Sequence, residues 1–122
     1  MIRTAALAGA GFLACAFAPA AVAACSCPRQ TRDQVAAKAS LVFTGRLLGT
    51  RRDGAHNYAR LETVQLLKGS APPVVEVMTP ASPAACSYEF PAGQVVAVAA
   101  TLRQQQYETD SCAMAVLNPP KR

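Results

Sequence analysis

The sequence has little of what catalytic sites are usually built from. It contains one histidine, His56, and no His-Glu-x-x-His pattern. His56 lies in a polar stretch predicted to be an exposed loop, and no serine or cysteine has an identifiable base, so an enzyme is not indicated. Glycine-rich phosphate-binding patterns and internal repeats are also absent. We therefore expect a binding or inhibitory protein without a cofactor.

Charge of either sign is sparse. Twelve lysines and arginines stand against seven acidic residues, and charged residues make up 16% of the chain. The basic residues are dispersed and do not interleave with aromatic residues, so nucleic-acid binding is not indicated. The mild excess of positive charge is expected to form a solvated basic surface.

The first 24 residues are typical of an export signal. Arg3 supplies a positive start, an uncharged apolar run spans 7–18, and small residues at 21–24 suit a signal peptidase. A retained transmembrane anchor is the alternative, because the run is marginally long enough to span a bilayer. Its alanine-rich composition favours cleavage, which would also remove Cys15. The protein is therefore expected to be periplasmic or secreted, with no transmembrane helix in the mature chain.

Four cysteines remain after such a cut, namely Cys25, Cys27, Cys86 and Cys112. An even number in a small exported domain predicts disulfides formed in an oxidising compartment. Cys25 and Cys27 are too close to bridge each other without strain, so each needs a distant partner. Two connectivities remain, Cys25–Cys86 with Cys27–Cys112 or the crossed arrangement. A soft-metal site at Cys25-Ser26-Cys27 is the alternative that the oxidising compartment disfavours.

The rest of the pattern predicts a small mainly-β domain. Thr31 is expected to cap a short helix over 31–39. Bulges are expected near Gly45 and Thr63, a turn at Asp53-Gly54 within a polar loop over 49–57, and a loose tail over 118–122. The predicted strands are 41–48, 58–67, 74–79, 94–102 and 107–112. About five strands at this length predict a small closed or partly open barrel.

Several motifs occur in a fixed order along the chain. They are Cys25-Ser26-Cys27-Pro28, Lys68-Gly69, Val77-Met78-Thr79-Pro80, Ala85-Cys86-Ser87-Tyr88 and Thr109-Asp110-Ser111-Cys112. Their order and spacing resemble the N-terminal domain of the tissue inhibitors of metalloproteinases, which belongs to the netrin-like group. The resemblance implies a domain over 25–117 with a mainly-β fold. That fold is a five-stranded OB-type barrel with one or two short helices and two disulfides.

The resemblance also implies a pairing and a mechanism. Cys25 would pair with Cys86 and Cys27 with Cys112, both distal cysteines lying on strands. The free α-amino group and carbonyl oxygen of Cys25 would chelate the catalytic zinc of a target metallopeptidase, and Ser26 would enter its specificity pocket. The implied inhibitory ridge comprises Cys25, Ser26, Cys27, Pro28, Pro83, Ala84 and Ala85. One departure is Ser87, which stands where the family usually has glycine.

Two alternative hypotheses come from the residues themselves. A non-inhibitory envelope module of OB type could bind a protein or a glycan through the barrel face and the Arg51-Arg52-Asp53 loop. Tyr88 is, independently of this hypothesis, a candidate surface stacking platform. Separately, Val22-Ala23-Ala24-Cys25 is also similar to a lipobox, which would anchor the protein through a lipid on Cys25. Lipidation would leave Cys86 unpaired in an oxidising compartment, which argues against it.

Overall fold

The computed structural model describes residues 25–120, together with Gly9 and Gly11. The predicted export signal over 1–24, with Cys15, and the last two residues of the predicted tail lie outside the described residues. The elements follow in the order α1 (Arg32–Lys38), β1 (Leu41–Asp53), β2 (His56–Lys68), β3 (Val74–Pro80), a 3₁₀ turn (Pro83–Ala85), β4 (Val95–Arg103), β5 (Gln106–Glu108) and α2 (Ser111–Leu117).

Strand β1 closes the sheet because it pairs with β2 on one side and with β4, the strand at the other end of the sheet, on the other side. Residues 41–46 are antiparallel to β4, and nearly the whole strand is antiparallel to β2. Strand β3 continues from β2, and β5 lies parallel to β3 and antiparallel to β4. The ring order β1-β2-β3-β5-β4 is a closed barrel. The predicted fold class, a mainly-β domain with a five-stranded OB-type barrel, short helices and two disulfides, is confirmed.

A glycine and a bulge allow β1 to bend around the core. One of the register shifts between β1 and β2 falls at Gly45, which lies opposite Thr63 and leaves Val64 as the extra residue. The bulge predicted near Thr63 is therefore confirmed. A Cβ atom at Gly45 would lie 2.8 Å from the Phe43 ring, so the strand bends at a residue that has no side chain.

Alternation along β1 divides the buried residues into two clusters. Leu41 and Phe43 are fully buried inside the barrel, where they pack with residues of the other long strands. Val42 points to the opposite face, as strand geometry requires. There it joins the second cluster, which contains Val35 of α1 and Leu117 of α2. Helix α1 therefore packs on the outside of the barrel, whereas α2 contributes Leu117 to this second cluster and Met114 to the interior one.

Helix α1 is held at both ends. The Thr31 hydroxyl accepts the Gln34 N–H at 3.2 Å, and the Gln34 side-chain oxygen accepts the Thr31 N–H at 2.9 Å. This capping box confirms the predicted start. At the other end, Lys68 Nζ donates to the carbonyls of Ala36 and Ala37 at 2.9 and 3.2 Å. The end of β2 thereby satisfies carbonyls that the helix leaves unpaired.

The prediction of a loop over 49–57 is wrong. Strands β1 and β2 continue to Asp53 and from His56, and they are joined by a tight turn in which Gly54 has a φ of 59°. The polar composition of this segment reflects an exposed two-stranded ribbon, because both faces of its tip meet solvent. The turn itself lies at the predicted Asp53-Gly54 position.

The prediction of a strand over 107–112 is also wrong beyond its start. Strand β5 ends at Glu108, and helix α2 begins at Ser111. The Asp110 carboxylate caps this helix by accepting the Ala113 N–H at 3.0 Å. Met114 and Leu117 are buried one turn apart. Burial of this helical face, together with the cap, outweighs the β-forming residues that precede it.

The structure continues in close contact with the barrel as far as Asn118, a residue assigned to the tail by sequence. Its side-chain oxygen accepts the Ala97 N–H at 2.9 Å, and its side-chain nitrogen donates to the Ala97 carbonyl at 2.7 Å. The amide thus takes the place of a neighbouring strand beside β4. These two hydrogen bonds fix the C-terminal end of α2 against the sheet.

Substitution of Gly69 tests the packing of the β2 end. Gly69 has a φ of 82°, and a Cβ there would lie 2.6 Å from the Ser40 carbonyl oxygen, whereas Gly54 has open space around it. We expect Gly54→Ala to lower the free energy of unfolding by about 1 kcal/mol through its left-handed backbone alone. Gly69→Ala should cost about 3 kcal/mol, because the backbone must also shift. Equal losses in urea denaturation would contradict this close approach.

Candidate functional site

Two disulfides attach the extended N-terminal segment to distant parts of the barrel. Cys25 is bonded to Cys86 and Cys27 to Cys112, with Cα–Cα distances of 5.0 and 5.3 Å. This is the pairing that the family resemblance implies, and it selects one of the two connectivities left open by the residues alone. The bridges span 61 and 85 positions of sequence. They are typical of a protein from an oxidising compartment.

Neither distal cysteine lies on a strand, in contrast to the expectation. Cys86 ends the 3₁₀ turn with a left-handed φ of 71°, and its N–H donates to the Pro83 carbonyl at 3.1 Å. Cys112 lies in the first turn of α2. The two positions are linked, because the Ser111 N–H donates to the Cys86 carbonyl at 3.0 Å. The bridges therefore end on a turn and a helix that are already in contact.

The predicted ridge residues are accessible. Ser26, Cys27 and Pro28 are exposed, as are the three residues of the 3₁₀ turn, Pro83–Ala85, whereas Cys25 is half-buried. The Cys25–Cys86 bridge holds the start of the segment 5.0 Å, between Cα atoms, from the residue that follows this turn. Two short exposed peptides, far apart in sequence, are thus joined at one covalent point.

Backbone hydrogen bonds hold the 3₁₀ turn rigidly. The Ser82 carbonyl accepts from the N–H groups of Ala85 and Ser87 at 3.0 and 3.2 Å. Immediately before the turn, the Ala81 N–H donates to the carbonyl of Ala55, at the tip of the β1–β2 hairpin, at 2.9 Å. The turn is therefore supported from both sides, and its conformation does not depend on contacts with a partner.

The sulfur atoms of the two bridges are in contact with each other. Cys112 Sγ lies 3.7 Å from Cys25 Sγ and 3.8 Å from Cys86 Sγ. Cys25 Sγ also lies 3.7 Å from the Ser111 hydroxyl oxygen. A groove of about 450 Å³, the cysteine groove, runs beside them and reaches the side chains of Ser26, Lys38, Arg103, Asp110, Cys86 and Cys112. The bridges thus form one compact group open to solvent.

A second groove, the hairpin groove, lies beside the β1–β2 ribbon. It has a volume of about 390 Å³, and the residues lining it include Arg51, Arg52, Tyr58, Tyr88 and Phe90. The Arg51 guanidinium carbon lies 4.0 Å from the centre of the Tyr58 ring. Tyr88 and Phe90 meet edge to face with 4.9 Å between ring centres. The groove therefore combines cationic and aromatic surfaces, which sequence reasoning had not placed together.

Arg51, Arg52 and Tyr88 are hydrogen-bond donors that line the hairpin groove. Arg51 Nη2 lies 3.0 Å from Glu76 Oε1, and this hydrogen bond raises the pKa of Arg51. Partial burial raises the pKa of the Tyr88 phenol. Arg52 donates only to the Gly54 carbonyl, at 3.4 Å, so most of its guanidinium is available to a ligand.

The described residues offer few other sites. His56 is exposed at the start of β2, opposite Asp53 of β1 and Pro80 of β3, and belongs to no group of three or more metal-ligating side chains among the described residues. Over residues 25–120, the one grouping of metal-ligating side chains comprises Cys25, Cys86 and Cys112. No helix in this same part of the chain is long and apolar enough to cross a membrane.

Comparisons with protein families and with curated proteins found no relative of this chain. No protein-family model matches the chain, and no curated protein matches it. The resemblance to the metalloproteinase inhibitors therefore remains a prediction from the motifs.

Removal of either bridge tests its contribution to stability. Chain-entropy arguments give each loop roughly 4 kcal/mol, and the logarithmic dependence on loop length makes the two nearly equal. We expect Cys27→Ala with Cys112→Ala, and separately Cys25→Ala with Cys86→Ala, to lower the free energy of unfolding by similar amounts. Urea denaturation of the two double variants measures this. A double variant as stable as the parent would contradict a structural role for that bridge.

Proposed function

We propose that this protein is an exported inhibitor of zinc metallopeptidases that acts through the N-terminus of its mature chain. The main support is the covalent fixation, by two disulfides, of the segment that begins at Cys25. Ser26 is exposed directly beyond Cys25, and the exposed turn Pro83–Ala85 lies beside the same bridge. A segment fixed in this way loses little conformational freedom when it binds.

The chemistry of the proposal is chelation. Catalytic zinc keeps a coordination position open for water or substrate. An α-amino group and the carbonyl oxygen of the same residue could together displace that water. The pKa of an α-amino group is about 8, so a useful fraction is uncharged at pH 7. In the full chain the Cys25 nitrogen is bonded to Ala24, so the activity requires cleavage between these two residues.

The flanking residues would supply surface complementarity. Ser26 offers a short side chain for the pocket beside the zinc. Pro28 and the turn Pro83–Ala85 add exposed, uncharged surface on either side of it. Charged groups are depleted at the centres of protein interfaces, and these flanking residues carry no charge themselves. The target in this proposal is a zinc metallopeptidase of the envelope or its surroundings.

Blocking the Cys25 amine tests the proposal directly. A mature chain that begins at Cys25 should inhibit a zinc metallopeptidase. The same chain with one additional N-terminal alanine should have an inhibition constant about 10³-fold higher. Inhibition by the free form should strengthen from pH 6 to pH 8, as the amine loses its proton. A chain with one additional C-terminal alanine is the matched control. Equal inhibition by all three forms would rule out chelation.

The intact mass of the protein purified from cells tests whether the required terminus exists. We expect the mass of a chain starting at Cys25 without lipid, increasing by four hydrogens when both bridges are reduced. A chain starting at Ala24 would remove the free Cys25 amine, and a diacylated Cys25 would establish the lipoprotein alternative. Either result would contradict the proposal for the natural protein.

The hairpin groove supports a second candidate function, the binding of an acidic glycan of the envelope. Its exposed Arg52 and its Tyr58 and Tyr88 rings combine a cation with surfaces on which a sugar ring can stack. We expect retention on an immobilised polyuronate that falls severalfold in Arg52→Ala. Arg60→Ala is the control, since Arg60 is an exposed arginine of β2 outside the residues that line the groove. Equal losses of retention in the Arg52→Ala and Arg60→Ala variants would show that the binding depends only on the net charge of the protein.

A further inference from the structure

The arrangement of the four bridged sulfur atoms suggests a site that neither disulfide has alone. Cys112 Sγ contacts both sulfur atoms of the other bridge, at 3.7 and 3.8 Å. Cys27 Sγ is bonded to Cys112 Sγ but lies outside the group formed by the other three sulfur atoms. The Sγ atoms of Cys25, Cys86 and Cys112 are within 4.8 Å of one another.

These separations match a known coordination geometry. Zinc–thiolate bonds are about 2.3 Å long, so the sulfur atoms at the corners of a tetrahedral zinc site are about 3.8 Å apart. The two contacts between the bridges already have this length. The two bonded pairs, about 2.0 Å apart in any disulfide, would have to separate, and Cys27 Sγ would have to approach the sulfur atoms of the other bridge. Opening both bridges therefore leaves three thiolates close together, and movement of the segment that carries Cys27 would supply the fourth.

We propose that the four cysteines form a zinc site when both disulfides are reduced. Each bridge takes two electrons and two protons from a dithiol reductant, which becomes a disulfide, and yields two thiols. Binding of Zn²⁺ then releases four protons and forms four zinc–sulfur bonds. The ion would replace the covalent links and keep the N-terminal segment attached under reducing conditions. This inference does not depend on the proposed inhibitory function.

The local backbone can accommodate the required movement. Residues 25–30 make no backbone–backbone hydrogen bonds to the rest of the described chain. The segment that carries Cys25 and Cys27 can therefore shift by the nearly 2 Å that separates a disulfide from a zinc-bound pair. Cys86 and Cys112, by contrast, are held by the 3₁₀ turn and by α2. Two of the four ligands are thus fixed and two can move, which suits a site that forms only after the disulfides are reduced.

The surroundings suit a thiolate cluster with a net charge of −2. Lys38 and Arg103 line the cysteine groove and would offset this charge, with one carboxylate, Asp110, opposing them. The Ser111 hydroxyl lies 3.7 Å from Cys25 Sγ and can donate to it once it is a thiolate. The cysteine groove reaches Cys86 and Cys112, so an ion can approach from solvent. The site thus has ligands, a hydrogen-bond donor and a path of access.

Metal titration of the reduced protein tests the proposal. Protein purified from the envelope is reduced anaerobically with a phosphine and titrated with Zn²⁺ and with Co²⁺. We expect one ion per chain, the visible bands of tetrahedral cobalt–thiolate coordination, and four sulfur neighbours at about 2.3 Å in X-ray absorption of the zinc form. The oxidised protein should bind neither ion. Nitrogen or oxygen ligands, no retained ion, or equal binding before reduction would each overturn the proposal.

Two further measurements separate a folded site from loose thiols. Zinc affinity should fall by roughly 10-fold or more in Ser111→Ala, because groups that orient metal ligands typically contribute this much. Ser70→Ala, in the exposed loop after β2, is the matched control and should leave the affinity unchanged. Both variants keep all four cysteines. Zinc binding should also weaken strongly in concentrated urea, and undiminished affinity there would show that the fold does not assemble the site.

Discussion

The fold depends on one constraint, the pairing of β1 with both β2 and β4. This pairing joins the two ends of the order β2-β3-β5-β4 into a ring, which requires β1 to coil, and Gly45 with the bulge at Val64 allows it to do so. The closed ring removes the sheet edges that would otherwise need covering. It also brings the 3₁₀ turn before Cys86 and the start of α2 into contact. The position of these two elements determines where the disulfides can attach the N-terminal segment. The candidate site is a consequence of barrel closure.

Side chains such as Phe43 and Leu61 are fully buried in the interior of the barrel. The cysteine groove and the hairpin groove lie on the outside of the ring, one beside the bridged cysteines and one beside the β1–β2 ribbon. Small domains commonly supplement a limited core with disulfides. Here the same bridges also shape one of the two grooves.

Sequence reasoning predicted the features that have local signals. Thr31 indicates the start of α1, and runs of β-forming residues indicate the strands. Helix α2 also had a local signal, the Asp110 cap followed by apolar residues at helical spacing, but the β-forming residues before it dominated the prediction. The hairpin groove had none, because Arg51 and Tyr88 are separated in sequence and meet only through barrel closure. The ridge residues came from a family resemblance, and their role is still untested.

The order of the cysteines in the chain has a consequence for biosynthesis. Cys25 and Cys27 are made first, and their partners follow 61 and 85 residues later. The second partner lies within α2, so the covalent structure can be completed only after all five strands and the start of that helix have been synthesised. An oxidase that acts earlier meets two neighbouring thiols with no correct partner. Any bridge formed at that stage has to be exchanged for the native ones by thiol–disulfide exchange.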